Sequence, residues 1–183
     1  MIILIDMDDV IADFDGEFYA KWCLKYPHKQ IAHPDHRTKF YIKDESPPEY
    51  RDLIYSLCSE NGFIRSLPEI PGAVNALKQI KKLGNSVFIC TSPLLYYENN
   101  VLEKYLWVEE HLGRNWTENI ILTRDKTIVR GDILIDDKPE ITGHCTPVWE
   151  HILFDRSYNR HIKGKKRMTW KNWKEVLGFN LKK

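Results

Sequence analysis

Aspartates recur in this chain where runs of apolar residues end. "IILID" (2–6) closes on Asp6 with Asp8 two residues further on, and "DILID" (132–136) closes on Asp136 with Asp137 next. Between them, "SVFICT" (86–91) ends on Thr91 before Ser92, and "NIILT" (119–123) ends before Arg124. One such residue is ordinary, because Asp, Ser and Thr often end strands or cap helices. Several at successive ends imply chemistry, because crowded carboxylates repel one another unless a cation joins them. Asp6, Asp8 and one or both of Asp136 and Asp137 offer hard oxygen ligands without a nearby His or Cys, a set that selects magnesium over zinc or copper.

The spacing of the first pair suits phosphoryl transfer. Residues i and i+2 of an extended chain point the same way, so Asp6 and Asp8 can face one phosphorus atom. Asp6 then serves as the nucleophile that forms an aspartyl phosphate. Asp8 protonates the departing alkoxide and afterwards takes a proton from the hydrolytic water. That double duty needs a raised pKa, with burial as the natural cause. Thr91 and the amides around Ser92 can hold the non-transferring oxygens, and a lysine must neutralise the charge on the transferring group.

The elements that position these residues form a repeating pattern. The four runs, with "HILFD" (151–155) as a fifth, read as strands buried on both faces, as parallel sheets require. Helices fit between them. "GAVNALKQIKKLG" (72–84) places Val74, Leu77 and Ile80 at amphipathic spacing before a Gly84 stop, and "NNVLEKYLWVEEHLG" (99–113) is striped in the same way. Alternating strands and helices predict an α/β fold with a doubly wound parallel sheet, whose ligands bind beyond the carboxyl ends of the strands. From Asp15 to Pro71 the alternation stops, leaving the helical patterns "GEFYAKWCLKY" and "PEYRDLIYSLC" around a proline-bearing polar stretch. This segment, 16–71, is expected to be a helical cap over a core made of 1–15 and 72–183, with "PEIPGA" (68–73) as the return hinge. The basic tail is expected to be a solvated surface ending in a short helix that carries Trp170, Trp173 and Leu177.

The chain has 183 residues, enough for one domain with a small insertion. Its 27 Lys and Arg against 26 Asp and Glu leave no general attraction to nucleic acid or anionic membrane. No signal-peptide pattern or membrane-length apolar run is present, and Cys23, Cys58, Cys90 and Cys145 form no CxxC pair. Buried free thiols and a cytoplasmic location are expected. No GxxxxGK[ST] phosphate loop supports a kinase or NTPase.

The strings "DMDDVIADF", "FICTSP", "LEKYLWVEEHLG", "ILTRDKTIVRGDILIDDKPEITG" and "PVWEHILF" resemble, in order, the 5'(3')-deoxyribonucleotidases of the haloacid dehalogenase superfamily. The resemblance implies a Rossmann-like core, with Asp6 as nucleophile, Asp8 as acid/base, and Asp6, Asp8 and Asp137 as the Mg2+ site with Asp136 beside it. It makes Lys104 the charge-neutralising lysine, and makes Lys126 and Arg124 substrate contacts. "KFYIKD" (39–44) resembles the family's aromatic strip, so Phe40, Tyr41 and Ile42 are expected to pack against a base, with Phe14 below. A homodimer is also implied. Two positions depart from the family pattern: Asp9 stands where glycine is usual, and Cys58 where a tryptophan is expected. The reading is a magnesium-dependent phosphatase of (deoxy)ribonucleoside monophosphates. Its alternatives are the same chemistry on a sugar phosphate or a nucleic-acid 3'-phosphate end, or a catalytically impaired phosphate-binding regulatory module.

Overall fold

β1 (Ile2–Ile5) lies at the centre of a six-stranded sheet with order β3-β2-β1-β4-β5-β6. The computed structural model describes residues 1–95 and 97–179; the last residues of the basic tail, 180–183, lie outside the described residues. The other strands are β2 (Ser86–Thr91), β3 (Ile120–Leu122), β4 (Ile133–Asp136), β5 (Glu150–Phe154) and β6 (Arg167–Met168), and every pairing is parallel. Ile3, Leu4 and Ile5 are inaccessible to solvent, which explains the unbroken apolar run: a central strand covered on both faces has no polar side to alternate with. Gly131, just before β4, has no room for a side chain, since a Cβ there would lie 2.9 Å from Leu4 Cγ.

Helices α3 (Ala73–Lys82) and α4 (Asn100–Leu112) flank β2 in the chain. α3 buries Leu77 and Ile80 as its spacing predicts, together with Ala73 and Ala76, while Val74 is only partly buried. Gly84, at φ +85°, follows its C-terminus in the left-handed conformation that glycine adopts without steric cost.

Between β1 and α3 the chain forms α1 (Phe14–Lys25), three short 3-10 turns and α2 (Arg51–Cys58). Outgoing and returning segments are tied together where they leave the sheet. Asp13 N donates to Pro68 O at 2.8 Å, and Ile70 N to Ile11 O at 2.9 Å. Phe18, Trp22, Ile54 and Leu57 join the same apolar cluster as Ile3 and Ile5, so these helices are packed into the core of the sheet.

Three details differ from expectation. β6 has two residues, too few for an apolar run to announce it. The final helix, α5 (Trp173–Val176), carries Trp173 but not Trp170 or Leu177, which flank it; Trp170 instead donates from Nε1 to Val10 O at 2.6 Å and anchors the tail beneath the loop after β1. All four cysteines are free, as expected, but only Cys90 is fully buried, and Cys23 and Cys145 are exposed, because each lies outside the apolar runs. No helix among the described residues is long and apolar enough to cross a membrane.

Candidate active site

Parallel pairing of β1 with β2 and β4 brings the three strand ends side by side. Asp6 extends the ladder by one bond, from its N–H to Ile135 O at 2.9 Å, which fixes its carboxylate at the C-terminal edge of the sheet. Asp136 ends β4 and Asp137 follows it. Carboxylate oxygens of Asp6, Asp136 and Asp137 lie within 4.8 Å of one another. Burial pushes the Asp6 carboxyl above its ordinary range, with Lys126 opposing and Asp136 reinforcing the rise. Asp137 is pushed well up, by burial first and then by Asp136 and Asp6.

One ammonium lies inside this cluster. Lys126, on the 3-10 turn after β3 (Lys126–Ile128), stands 2.8 Å from Asp6 Oδ1 and 2.5 Å from Asp136 Oδ2. Asp125 caps that turn by accepting from Thr127 N at 2.9 Å, so the lysine is aimed by local backbone geometry. The two neighbouring carboxylates raise its pKa against the opposing effect of burial.

Lys104, on α4, is fully buried and engages Asp8 instead. Its Nζ lies 2.7 and 2.8 Å from the two Asp8 oxygens and donates to Thr91 Oγ1 at 3.1 Å. Burial raises the Asp8 carboxyl, and Lys104 works against that rise. The expected roles, Lys104 neutralising charge and Lys126 contacting substrate, do not say which aspartate each lysine meets. Lys126 sits on Asp6, and Lys104 sits on Asp8. Helical register hides this in the sequence, because which lysine meets which strand end depends on how far the loops carry each one.

The expected metal set was Asp6, Asp8 and Asp137 with Asp136 beside it; the cluster found is Asp6, Asp136 and Asp137, and the Asp8 carboxylate lies outside it because both its oxygens are engaged by Lys104. Asp9 is also outside the cluster. It adopts φ +58°, a left-handed geometry that Asp tolerates better than most residues. Its Oδ1 accepts from Asp15 N at 3.0 Å and lies 3.2 Å from Arg156 Nη2, while its carbonyl accepts from Arg156 Nε at 2.7 Å. The Asp9 carboxylate is thus held in a salt-bridged corner, where burial first, then Asp15, and also Asp137 of the cluster push its pKa well up against the opposing charge of Arg156.

Above the carboxylates opens a cavity of about 610 Å3. Asp6, Asp8, Lys126, Asp136 and Asp137 line its floor, with Ser92 and Arg124 beside them. Phe14, Phe40, Tyr41 and Ile42 all line the same cavity, as does Cys58. Thr91 does not reach it: its hydroxyl is buried and held by Lys104. Ser92 Oγ donates to Thr123 O at 2.9 Å, tying the ends of β2 and β3 together.

Sequence reasoning missed Tyr158, Asn159 and Arg37. Tyr158 is buried and donates its hydroxyl to Asp137 Oδ2, and Asn159 Nδ2 donates to Asp137 O at 2.7 Å. Tyr158 and Asn159 come from a single 3-10 turn after β5 (Ser157–Asn159), too short to show a period, and the sheet order brings that turn to Asp137. The other oxygen, Asp137 Oδ1, is buried with no hydrogen-bond partner. A buried, unpartnered carboxylate oxygen costs free energy unless something fills the position. A hard divalent cation fits this all-oxygen set, with Asp6, Asp136 and Asp137 able to hold it.

Comparison with known proteins agrees with the geometry. The fold is shared with a haloacid dehalogenase family hydrolase of Deinococcus radiodurans R1, whose structure holds phosphate and sodium. The TM-score is 0.62 at 14% identity, over 97% of this chain and 94% of that one. A model of the family described as "5' nucleotidase, deoxy (Pyrimidine), cytosolic type C protein" matches residues 1–182. The human cytosolic-type 5'(3')-deoxyribonucleotidase is 42% identical, with 96% of this chain and 92% of that protein covered. A Bordetella pertussis relative is 48% identical over 181 residues, covering 99% of this chain and 97% of its own.

The fold is the one seen in haloacid dehalogenase family hydrolases. Within that class, the chain belongs to the 5'(3')-deoxyribonucleotidase family and is a phosphoric monoester hydrolase of the nucleotidase kind.

Proposed function

We propose that this protein hydrolyses (deoxy)ribonucleoside monophosphates to nucleoside and inorganic phosphate, with Mg2+ as cofactor and phosphorylated Asp6 as intermediate. The observation that carries this reading is the cluster of Asp6, Asp136 and Asp137, with a buried Asp137 oxygen lacking a hydrogen-bond partner, in residues that line one cavity with Phe14, Phe40 and Tyr41. A nucleoside monophosphate has the matching polarity, with an anionic end for the floor and a flat base for the aromatic wall.

A cation bound by the three carboxylates supplies positive charge to them and to the phosphate oxygens. In the reading proposed, an Asp6 oxygen attacks phosphorus and the bond from phosphorus to the ester oxygen breaks. Asp8, carrying a proton, gives it to the departing alkoxide; the rise caused by burial favours that protonated form. Asp8 then takes a proton from water, whose oxygen attacks phosphorus, and Asp6 departs as a carboxylate. Lys126 is assigned the neutralising role beside Asp6, and Lys104 the placement of Asp8 against Thr91. Arg124, in the cavity wall, is assigned to the substrate.

Phosphate release from dUMP, dTMP, a sugar phosphate and a 3'-phosphorylated oligonucleotide, each with Mg2+ or with chelator, tests this. Nucleoside monophosphates should turn over fastest, and chelation should stop release until Mg2+ is returned. Undiminished release in chelator contradicts the cofactor. Preference for the sugar phosphate or the oligonucleotide contradicts the substrate, and no turnover of any ester leaves the regulatory module.

A further inference from the structure

The aromatic wall has little regular structure to hold it. Phe40 and Tyr41 lie between two short 3-10 turns, Pro34–His36 and Ile42–Asp44. A buried guanidinium ties this segment together. Arg37 is 4% exposed, and its donors are spread over four acceptors. Nε donates to Glu45 Oε1 at 2.7 Å, Nη2 to Lys39 O at 2.8 Å and to Phe40 O at 2.7 Å, and Nη1 to Asp15 Oδ2. Glu45 closes the ring by accepting from Thr38 N at 2.9 Å.

The same guanidinium faces the phosphate end of the site. Its Cζ lies 4.9 Å from the centre of the Tyr158 ring, and Tyr158 donates to Asp137. Phe40 packs edge-on against Tyr158, with ring centres 5.8 Å apart. Burying an arginine with two carboxylates is costly and gains little stability over an apolar replacement, so its value lies in fixed geometry. The planar fork sets the direction of every bond, which a lysine ammonium cannot reproduce.

From this arrangement we infer that Arg37 is a positioning residue for nucleoside recognition: it fixes Phe40 and Tyr41 relative to Tyr158 and Asp137, and so sets affinity for the base-bearing part of the substrate. Arg37 itself does not line the cavity. The inference rests on the nucleotidase reading and goes beyond it by separating the groups that hold the nucleoside from those that do the chemistry. A small misplacement of a binding wall is amplified in the energetics of a bound substrate. An ester too short to reach the wall escapes that penalty.

The test measures KM and kcat for dUMP and for phenyl phosphate, with Mg2+ present, in wild type, Arg37→Lys and Glu45→Ala. Arg37→Lys should raise the KM for dUMP roughly tenfold or more, with kcat nearly unchanged and kcat/KM for phenyl phosphate within about twofold of wild type. Glu45→Ala, at the partly exposed rim of the ring, should move the KM for dUMP the same way by about threefold, and it decides alone if Arg37→Lys does not fold. A KM for dUMP within about twofold of wild type in the folded variants overturns the inference, and so does a parallel loss on both esters, which marks a merely structural role. Wild-type enzyme that handles dUMP no better than phenyl phosphate counts against the nucleotidase reading itself, before any variant is compared.

Discussion

Asp6→Asn should abolish phosphate release while the chain stays folded. The substitution keeps the shape of a side chain whose surroundings are set by the β1–β4 ladder, and it removes the oxygen nucleophile. Loss of a covalent nucleophile costs on the order of 10^4-fold or more in kcat, about 5.5 kcal/mol of barrier. Asn also removes one of three mutually repelling carboxylates, so the metal-free fold should be no less stable than wild type. The variant should, however, gain less thermal stability from Mg2+, because binding to the native state alone is what transmits ligand affinity into stability. Steady-state kinetics with and without Mg2+, beside melting curves in the same buffers, checks both halves. Activity like wild type would contradict the assigned nucleophile.

Lys126→Met should damage both fold and turnover. Lys126 is buried between Asp6 and Asp136, and removing it leaves two buried carboxylates without their shared partner. Breaking a buried ion pair by deleting one side costs about 3–5 kcal/mol. The cost should depend on pH, with a definite sign. Burial already raises the Asp6 carboxyl and Lys126 opposes that rise, so its loss raises the folded-state pKa further above the unfolded value. A carboxyl raised in the folded state is neutral and harmless below the unfolded pKa, and it destabilises as pH climbs through the folded pKa. In chelator, denaturant unfolding should therefore show a larger deficit at pH 8 than at pH 5. Turnover should fall by more than about 100-fold, since Lys126 is the ammonium 2.8 Å from Asp6 and is placed to face the phosphoryl oxygens. A variant as stable and active as wild type would remove Lys126 from the site.

The strand ends were legible because a doubly covered parallel strand leaves an apolar run that stops abruptly, and Asp6, Asp136 and Asp137 stand at those stops. The cavity wall of Phe14, Phe40, Tyr41 and Ile42 was legible through family resemblance, since nothing in "KFYIKD" has a structural period. Ranking Lys104 against Lys126 was beyond sequence reasoning because it depends on how two separate turns meet the sheet. Local capping by Asp125 aims Lys126 at Asp6, whereas α4 carries Lys104 to Asp8 and Thr91. Tyr158 and Arg37 lie in irregular segments, and their importance comes from long-range contacts with Asp137 and with the Phe40 backbone. Asp9 stood out in the sequence only as a departure from the family's glycine, and its setting turns on Arg156, 147 positions away in the chain.

Trapping the phosphorylated side chain addresses the central proposal most directly. Enzyme mixed with dUMP and Mg2+, quenched in acid within a single turnover and reduced with borohydride, is digested and mapped by mass spectrometry. Residue 6 should be recovered as homoserine, the reduction product of an aspartyl phosphate, when dUMP and Mg2+ are both present and not when either is withheld. Phosphate release with residue 6 unmodified throughout, or modification at a different aspartate, would contradict it.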